Sequence, residues 1–181
     1  MKYAVLSVVF SLVSQSAFAL FAVGDKPTNY CWQDADDNKV CLDDLCQVRV
    51  LMYNTGWCGP CNAEFNEVVS TTNEFNGKPV TFISLSAEGW SGGSKPDKKF
   101  LQEWRAKHKL DRGLANILVA ASPRDAGRDF FASPSIPNVV IIDAGGEVAY
   151  KAIGPGMKEV REQVRKLLPV PVPVPAKCPK P

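Results

Sequence analysis

Histidine is almost missing from this chain: His108 stands alone among 181 residues. A structural zinc site takes four ligands, usually Cys or His at recurring short spacings, and beyond one tight cysteine pair the other cysteines are loosely spaced. No metal site is expected, and His108 reads as a solvated helix residue. An excess of charge of one sign is missing too. The chain has 21 Lys and Arg against 19 Asp and Glu, a net charge of +2, and no basic stripe, which argues against a dedicated nucleic-acid binder. Beyond the N-terminus no apolar run approaches the roughly 18 residues of a membrane span. No internal repeat is visible.

What is present begins with Lys2, the apolar run "AVLSVVFSLV" and then "SQSAFA", where Ala17 and Ala19 supply an A-x-A cleavage pattern. Residues 1–19 are read as a signal peptide cleaved after Ala19, and no cysteine stands just beyond to accept a lipid. The expected setting is an exported one, a bacterial periplasm. About 160 residues then remain, one domain's worth of core: residues 20–168, followed by a proline-rich tail, 169–181. All six cysteines lie in the mature chain, where export permits disulfides.

The pattern alternates strands and helices. "VRVLMY" (48–53) suits a buried strand. After it, Cys61, Phe65, Val68, Thr72 and Phe75 recur at steps of three and four, one face of a helix. "PVTFISLSA" (79–87) is a second strand, "KKFLQEWRAKHKL" an amphipathic helix, and "NILVAAS" a third strand. "NVVIID", "AGGE" and "VAYKAIG" make an antiparallel hairpin. A closing helix carries Met157, Val160, Val164 and Leu167 on one side. The class is α/β, a central mixed β-sheet with helices on both faces.

"NTGWCGPCNAEF" (54–65) places Cys58 and Cys61 between a buried strand and a helix. Cys58 stands at the helix N-terminus, where unsatisfied N–H groups and the helix dipole favour a thiolate. The thiolate is the attacking species in disulfide exchange, so Cys58 is the candidate nucleophile. Cys61, a turn further on, is the resolving cysteine. Pro60 has no N–H to lose in the first turn and stiffens the pair, and Trp57 shields one side while leaving the Cys58 sulfur accessible.

"WCGPC" is the motif of thioredoxins, and the wider layout resembles the exported TlpA/ResA-type branch of the thioredoxin-like superfamily. "DDNKVCLDDL" (36–45), Glu64 and "SIPNVVIIDAGGEVAYKAIG" (135–154) carry the likeness, which covers roughly residues 22–168. It implies a thioredoxin-like fold with an N-terminal β-hairpin extension and a thiol:disulfide oxidoreductase needing no cofactor. Ile136-Pro137 matches the family's cis-proline step beside the cysteine pair. With Trp57, Gly59 and Pro60 it would form the client-binding surface. The residues alone read Pro137 as a strand-entry proline, cis being rare for any X-Pro bond, so the cis form is what the resemblance implies.

The pattern departs from the family in places. Met52 replaces the buried acid six positions before Cys58, and Glu64 is the candidate proton relay in its stead; an ordinary first-turn acid favoured by the helix dipole is the other reading. Asn66 replaces a helix-kinking proline. Asn54 and Thr55 stand where aromatic and small residues are common. Thr55 is also half of the peroxiredoxin signature, whose proline is here Leu51, so a peroxide reductase is one alternative. A non-catalytic binding or chaperone module, with Cys58–Cys61 a permanent disulfide, is the other.

"YCWQDADDNKVCL", folded at Asp36, sets Cys31 opposite Cys41, a site for a cross-strand disulfide. The tail "LPVPVPVPAKCPKP" reads as polyproline II, on the order of 28 Å from Pro169 to Cys178. Cys178 either straps the tail to Cys46, stays free or joins two chains. Gly59-Pro60 bring no charged or imidazole group to stabilise the thiolate strongly, which points to a reductase of protein disulfides. The resemblance implies a membrane thiol transporter of the DsbD/CcdA type as electron donor. It also implies clients in cytochrome c maturation, with apocytochrome c as substrate, or in metal-site assembly, and nothing in the chain selects between them. The Gly-rich loop from Trp90 to Pro96 reads as a rim of the site or a plain connection.

Overall fold

A computed structural model describes residues 20–110, 117–122, 128–131, 135–154 and 156–168. The expected signal peptide and the tail beyond Leu168, with Cys178, lie outside the described residues. Among the described residues no helix is long and apolar enough to cross a membrane.

The chain runs β1 (Cys31–Gln33), β2 (Lys39–Cys41), a 3₁₀ turn at Leu42–Asp44, β3 (Val48–Thr55), α1 (Gly59–Glu74), β4 (Val80–Glu88), α2 (Lys98–Lys107), β5 (Ile117–Ala121), β6 (Asn138–Ile142), β7 (Val148–Ile153) and α3 (Met157–Leu167). Five strands form one sheet in the order β5-β4-β3-β6-β7. β4 is parallel to β3 and to β5, whereas β6 runs antiparallel to β3 and β7 antiparallel to β6. β3 is buried along its whole length, as its near-continuous apolar run requires of a central strand covered on both faces.

Register then fixes two cores. Val50 lies opposite Phe82 on one side and Ile141 on the other, and Phe82 opposite Ile117. These residues form one face with Phe65 and Val68 of α1, Phe100, Leu101 and Trp104 of α2, and Met157, Val160 and Val164 of α3. Leu51, Tyr53, Ile83, Leu85, Val140 and Ile142 form the other, covered by Trp32, Leu42, Phe130 and Phe131. The three described α-helices thus share one face, where the sequence suggested both. The crossovers β3-α1-β4 and β4-α2-β5 step the same way across the sheet, and right-handed crossovers stepping the same way land on the same side.

The N-terminal hairpin closes on the registered pair Cys31 and Cys41, joined as a disulfide with Cα atoms 3.9 Å apart. Its turn is organised by Asp34, whose Oδ1 accepts from the Asp36 and Asn38 amides at 2.8 Å each. Asp34 forms an antiparallel bridge with Ala120, and the Ala35 amide donates to the Val119 carbonyl at 2.9 Å. The hairpin therefore lies along the outer edge of β5. Arg105 of α2 grips Asp36 with two bonds of 2.6 and 2.9 Å.

His108 departs from its expected solvated setting. The helical spacing of Leu101 and Trp104 carries on one residue past α2, so the ring is half-buried between Phe65 and Trp104, each 4.3 Å away centre to centre. Burial, aided by the Lys107 charge, pushes its pKa down to about 4. The folded state thus favours the neutral ring. Its stabilisation is complete above the ordinary histidine range and is lost as pH falls through about 4. Thermal melts at pH 7.5 and 4.5 should show wild type losing more stability than His108→Phe, by on the order of 1 kcal/mol after solvent screening.

Candidate active site

β3 delivers the chain to a tight passage. The Gly56 amide donates to the Glu88 carbonyl at 3.2 Å, and a Cβ on Gly56 would sit 2.5 Å from the Gly89 carbonyl oxygen and 2.7 Å from the Phe100 ring. Only glycine fits there. The Cys58 amide then returns to the Thr55 carbonyl at 3.2 Å, and Cys58 caps α1, its sulfur accepting from the Cys61 amide at 3.1 Å. Pro60 occupies the first turn, where no amide bond is lost.

Cys58 and Cys61 form a disulfide with Cα atoms 5.3 Å apart. Both are buried, Cys58 at 3 % exposure. The accessible sulfur expected from the sequence is thus withdrawn in the disulfide form, where it turns toward the first amides of α1. Trp57 is half exposed, its indole N–H donating to the Glu88 carboxylate at 2.6 Å, and Gly59 and Pro60 lie exposed at the start of the helix.

The Ile136–Pro137 peptide is cis. Pro137, Cys61, Glu64 and Met52 line one narrow cleft of about 10 Å³, room for about one water molecule. Met52, with Phe65, Val68, Val139 and Met157, makes the lining largely apolar. Glu64 is half-buried there, and burial, then the Glu67 charge, holds its carboxyl above the usual range. Trp57 and Ile136 face instead a larger cavity of about 990 Å³, walled also by Gly93 to Pro96 and Arg128. That places the second half of the Gly-rich loop at the rim.

Two supports went unmarked in the sequence. Asn62 donates to the Gly56 and Cys58 carbonyls at 3.1 and 2.8 Å and accepts from Lys107 Nζ at 2.7 Å. Lys107 in turn lies over the Trp90 ring, 4.8 Å from its centre. Behind β3, Asn54 donates to Ser84 Oγ at 2.9 Å and accepts from Ser86 Oγ at 2.8 Å, while the Trp104 indole donates to Ser84 at 3.2 Å. An asparagine four residues after a cysteine is no motif; only the fold reveals the clamp. Among the described residues no cluster of His, Cys, Asp and Glu is arranged to hold a metal ion. Cys31 and Cys41 belong to the hairpin rather than this site, and the strap of Cys46 to Cys178 falls outside the described residues.

Gly56→Ala should lower the melting temperature by several degrees, a cost of about 1–3 kcal/mol for overpacking against rigid backbone. Circular dichroism melts of the oxidised protein measure it. An unchanged melting temperature would refute the tight passage.

The model of the AhpC/TSA family matches residues 23–151. The fold is shared with a thiol:disulfide interchange protein from Bacteroides sp., at TM-score 0.65 and 17% identity over 82% of this chain and 91% of that one. It is shared also with a thiol:disulfide interchange protein of the thioredoxin family from Chlorobium tepidum, at TM-score 0.63 and 16% identity over 82% and 99%. The thioredoxin domain of a thiol-disulfide oxidoreductase from Bacteroides vulgatus aligns at TM-score 0.60 and 17% identity over 82% and 99%. No curated protein sequence gives a significant match. On the match to most of its length, this thioredoxin-like chain belongs to the AhpC/TSA family.

Proposed function

We propose that the protein is an exported thiol:disulfide oxidoreductase that reduces protein disulfides. The observation that carries this reading is the Cys58–Cys61 pair at the start of α1, with the Cys61 amide aimed at the Cys58 sulfur at 3.1 Å. In the reduced protein that amide and the helix dipole favour a thiolate at Cys58.

The thiolate attacks one sulfur of a client disulfide, forming a mixed disulfide and releasing the other client sulfur as a thiolate. Cys61 then loses its proton and attacks the Cys58 sulfur. The remaining client thiol leaves, and the protein is left with its internal disulfide; two electrons have passed to the client. Glu64, beside Cys61 in the narrow cleft and holding its proton above the usual carboxylate range, is the relay for the Cys61 proton. Trp57, Gly59, Pro60, Ile136 and Pro137 form the surface on which the client lies. Recharging falls to a membrane thiol transporter of the DsbD/CcdA type, and the clients are periplasmic proteins such as apocytochrome c or metal-site precursors.

A second reading, a peroxide reductase with Cys58 as its attacking sulfur, draws on Thr55. Its hydroxyl is buried without a partner three residues before Cys58. Against it, the signature's proline position is Leu51, packed in the core.

The reduction potential of the Cys58–Cys61 couple, equilibrated in dithiol buffers, should fall near about −270 mV; a value near about −120 mV would reverse the proposed electron flow. Cys58→Ser should abolish turnover, and Cys61→Ser should accumulate a mixed disulfide with client protein. A Cys58→Ser protein that still supports its client would point to the binding module, and rapid consumption of hydrogen peroxide to the peroxidase.

Glu64→Gln should slow release of the mixed disulfide about a hundredfold, the low end for loss of a general base. The wild-type rate should rise with pH through an inflection above the ordinary carboxylate range, and the variant should lack it. Stopped-flow fluorescence from pH 5 to 8 decides.

A further inference from the structure

The cavity of about 990 Å³ opens where β3 and β4 end, next to the cysteine turn. Three buried polar atoms among its lining residues have no hydrogen-bond partner: Tyr53 Oη, Thr55 Oγ1 and Asn138 Oδ1. Their residues are 3, 3 and 1 % exposed. One buried orphan is costly, and three on residues that line one cavity require a reason; Tyr53 and Asn138 also wall the narrow cleft beside Cys61, so they join the two spaces.

Their chemistry is complementary to one kind of group. Tyr53 is held neutral by burial, so its hydroxyl and that of Thr55 are donors. The Asn138 amide nitrogen already donates to the Ser135 carbonyl at 2.9 Å, which leaves the Asn138 oxygen as an acceptor. Two donors and one acceptor match a peptide amide, whose C=O accepts from the hydroxyls and whose N–H donates to Asn138. The rim adds charge. Among the described lining residues Lys95 and Arg128 face one carboxylate, Glu88, which the Trp57 indole engages, while the nearby Asp129 is taken up by the Tyr30 hydroxyl. The balance favours an anionic group.

Resting on the exchange reading, we infer that this cavity is the specificity subsite of the enzyme. It takes the main-chain amide and an acidic side chain of the client segment flanking the target disulfide. Trp57, which precedes Cys58 in the chain, and Ile136, which precedes the Pro137 that shares the narrow cleft with Cys61, both line the cavity, so a segment seated there brings a neighbouring disulfide to Cys58.

The test separates binding from chemistry. Hexapeptides Asp-Ser-Gly-Ser-Ser-Asp, and the same with Asn or Lys in place of Asp, are titrated onto the mature disulfide-form protein at low salt, following tryptophan fluorescence. The Asp peptide should bind at least about fivefold more tightly than the Lys peptide, and Arg128→Gln should erase most of that preference. Tyr53→Phe should weaken binding about two- to tenfold while its melting temperature stays level or rises, because an unpartnered hydroxyl contributes nothing to the free fold. Equal binding of the three peptides, or a Tyr53→Phe protein with unaltered affinity, overturns the subsite. With Cys replacing the first and last of the three Ser residues and closing a disulfide, the same preference should appear in kcat/KM of the reduced enzyme; equal values overturn the specificity role. A protein that binds with the stated preference yet reduces no disulfide overturns the exchange reading alone.

Discussion

The complete burial of β3 is the constraint on which the site depends. Every residue of the strand is buried, because β4 and β6 pair with both its edges and a separate core covers each of its faces. A strand so enclosed has one register and one exit. That exit is the passage at Gly56, where two backbone segments approach too closely for a side chain. The cysteine turn is thus aimed by packing on every side.

Polar groups near the turn fall into two kinds. One kind is saturated: Asn54 with Ser84 and Ser86, and Asn62 with the carbonyls of Gly56 and Cys58. These hold backbone in place in a low-dielectric setting where unmet bonds cost most. The other kind is left open, as at Tyr53, Thr55 and Asn138. A protein that satisfies one set so fully and leaves the adjacent set unmet divides its interior into a rigid frame and a receptive wall. Glu64 belongs to neither kind: it is half-buried in the narrow cleft with Cys61, and burial holds its carboxyl above the usual range.

Much of the frame was legible because it is written in local pattern. The steps of three and four from Cys61 to Phe75 mark the residues that α1 and its cap bury, and the apolar runs mark β3, β4 and β6. The hairpin fold at Asp36 follows from two half-strands around an acidic turn. The cis step at Pro137 was available only through family resemblance, since its neighbours in sequence read as a strand entry. What stayed hidden depends on residues far apart in the chain. Lys107 reaches Asn62 across 45 positions, and the rim of the large cavity joins Lys95 to Arg128. His108 was misread because its own helix ends before it, while its aromatic partners lie on α1 and α2. Helix placement on one face required the strand order, which periodicity does not contain.

The hairpin bridge at Asp34 and Ala35 bears on how copies of the molecule meet. A sheet edge with unpaired amides and carbonyls is a template for another strand, and β5 is such an edge. The hairpin occupies it at Val119 and Ala120, and the Cys31–Cys41 bond keeps the hairpin in shape. That disulfide consequently guards solubility at a distance from the chemistry: once it is opened and the hairpin lifts away, a strand of hydrophobic sequence is bared to its neighbours. In a chain that trades in thiols, the bond protecting its own sheet edge must be one its active cysteines leave alone.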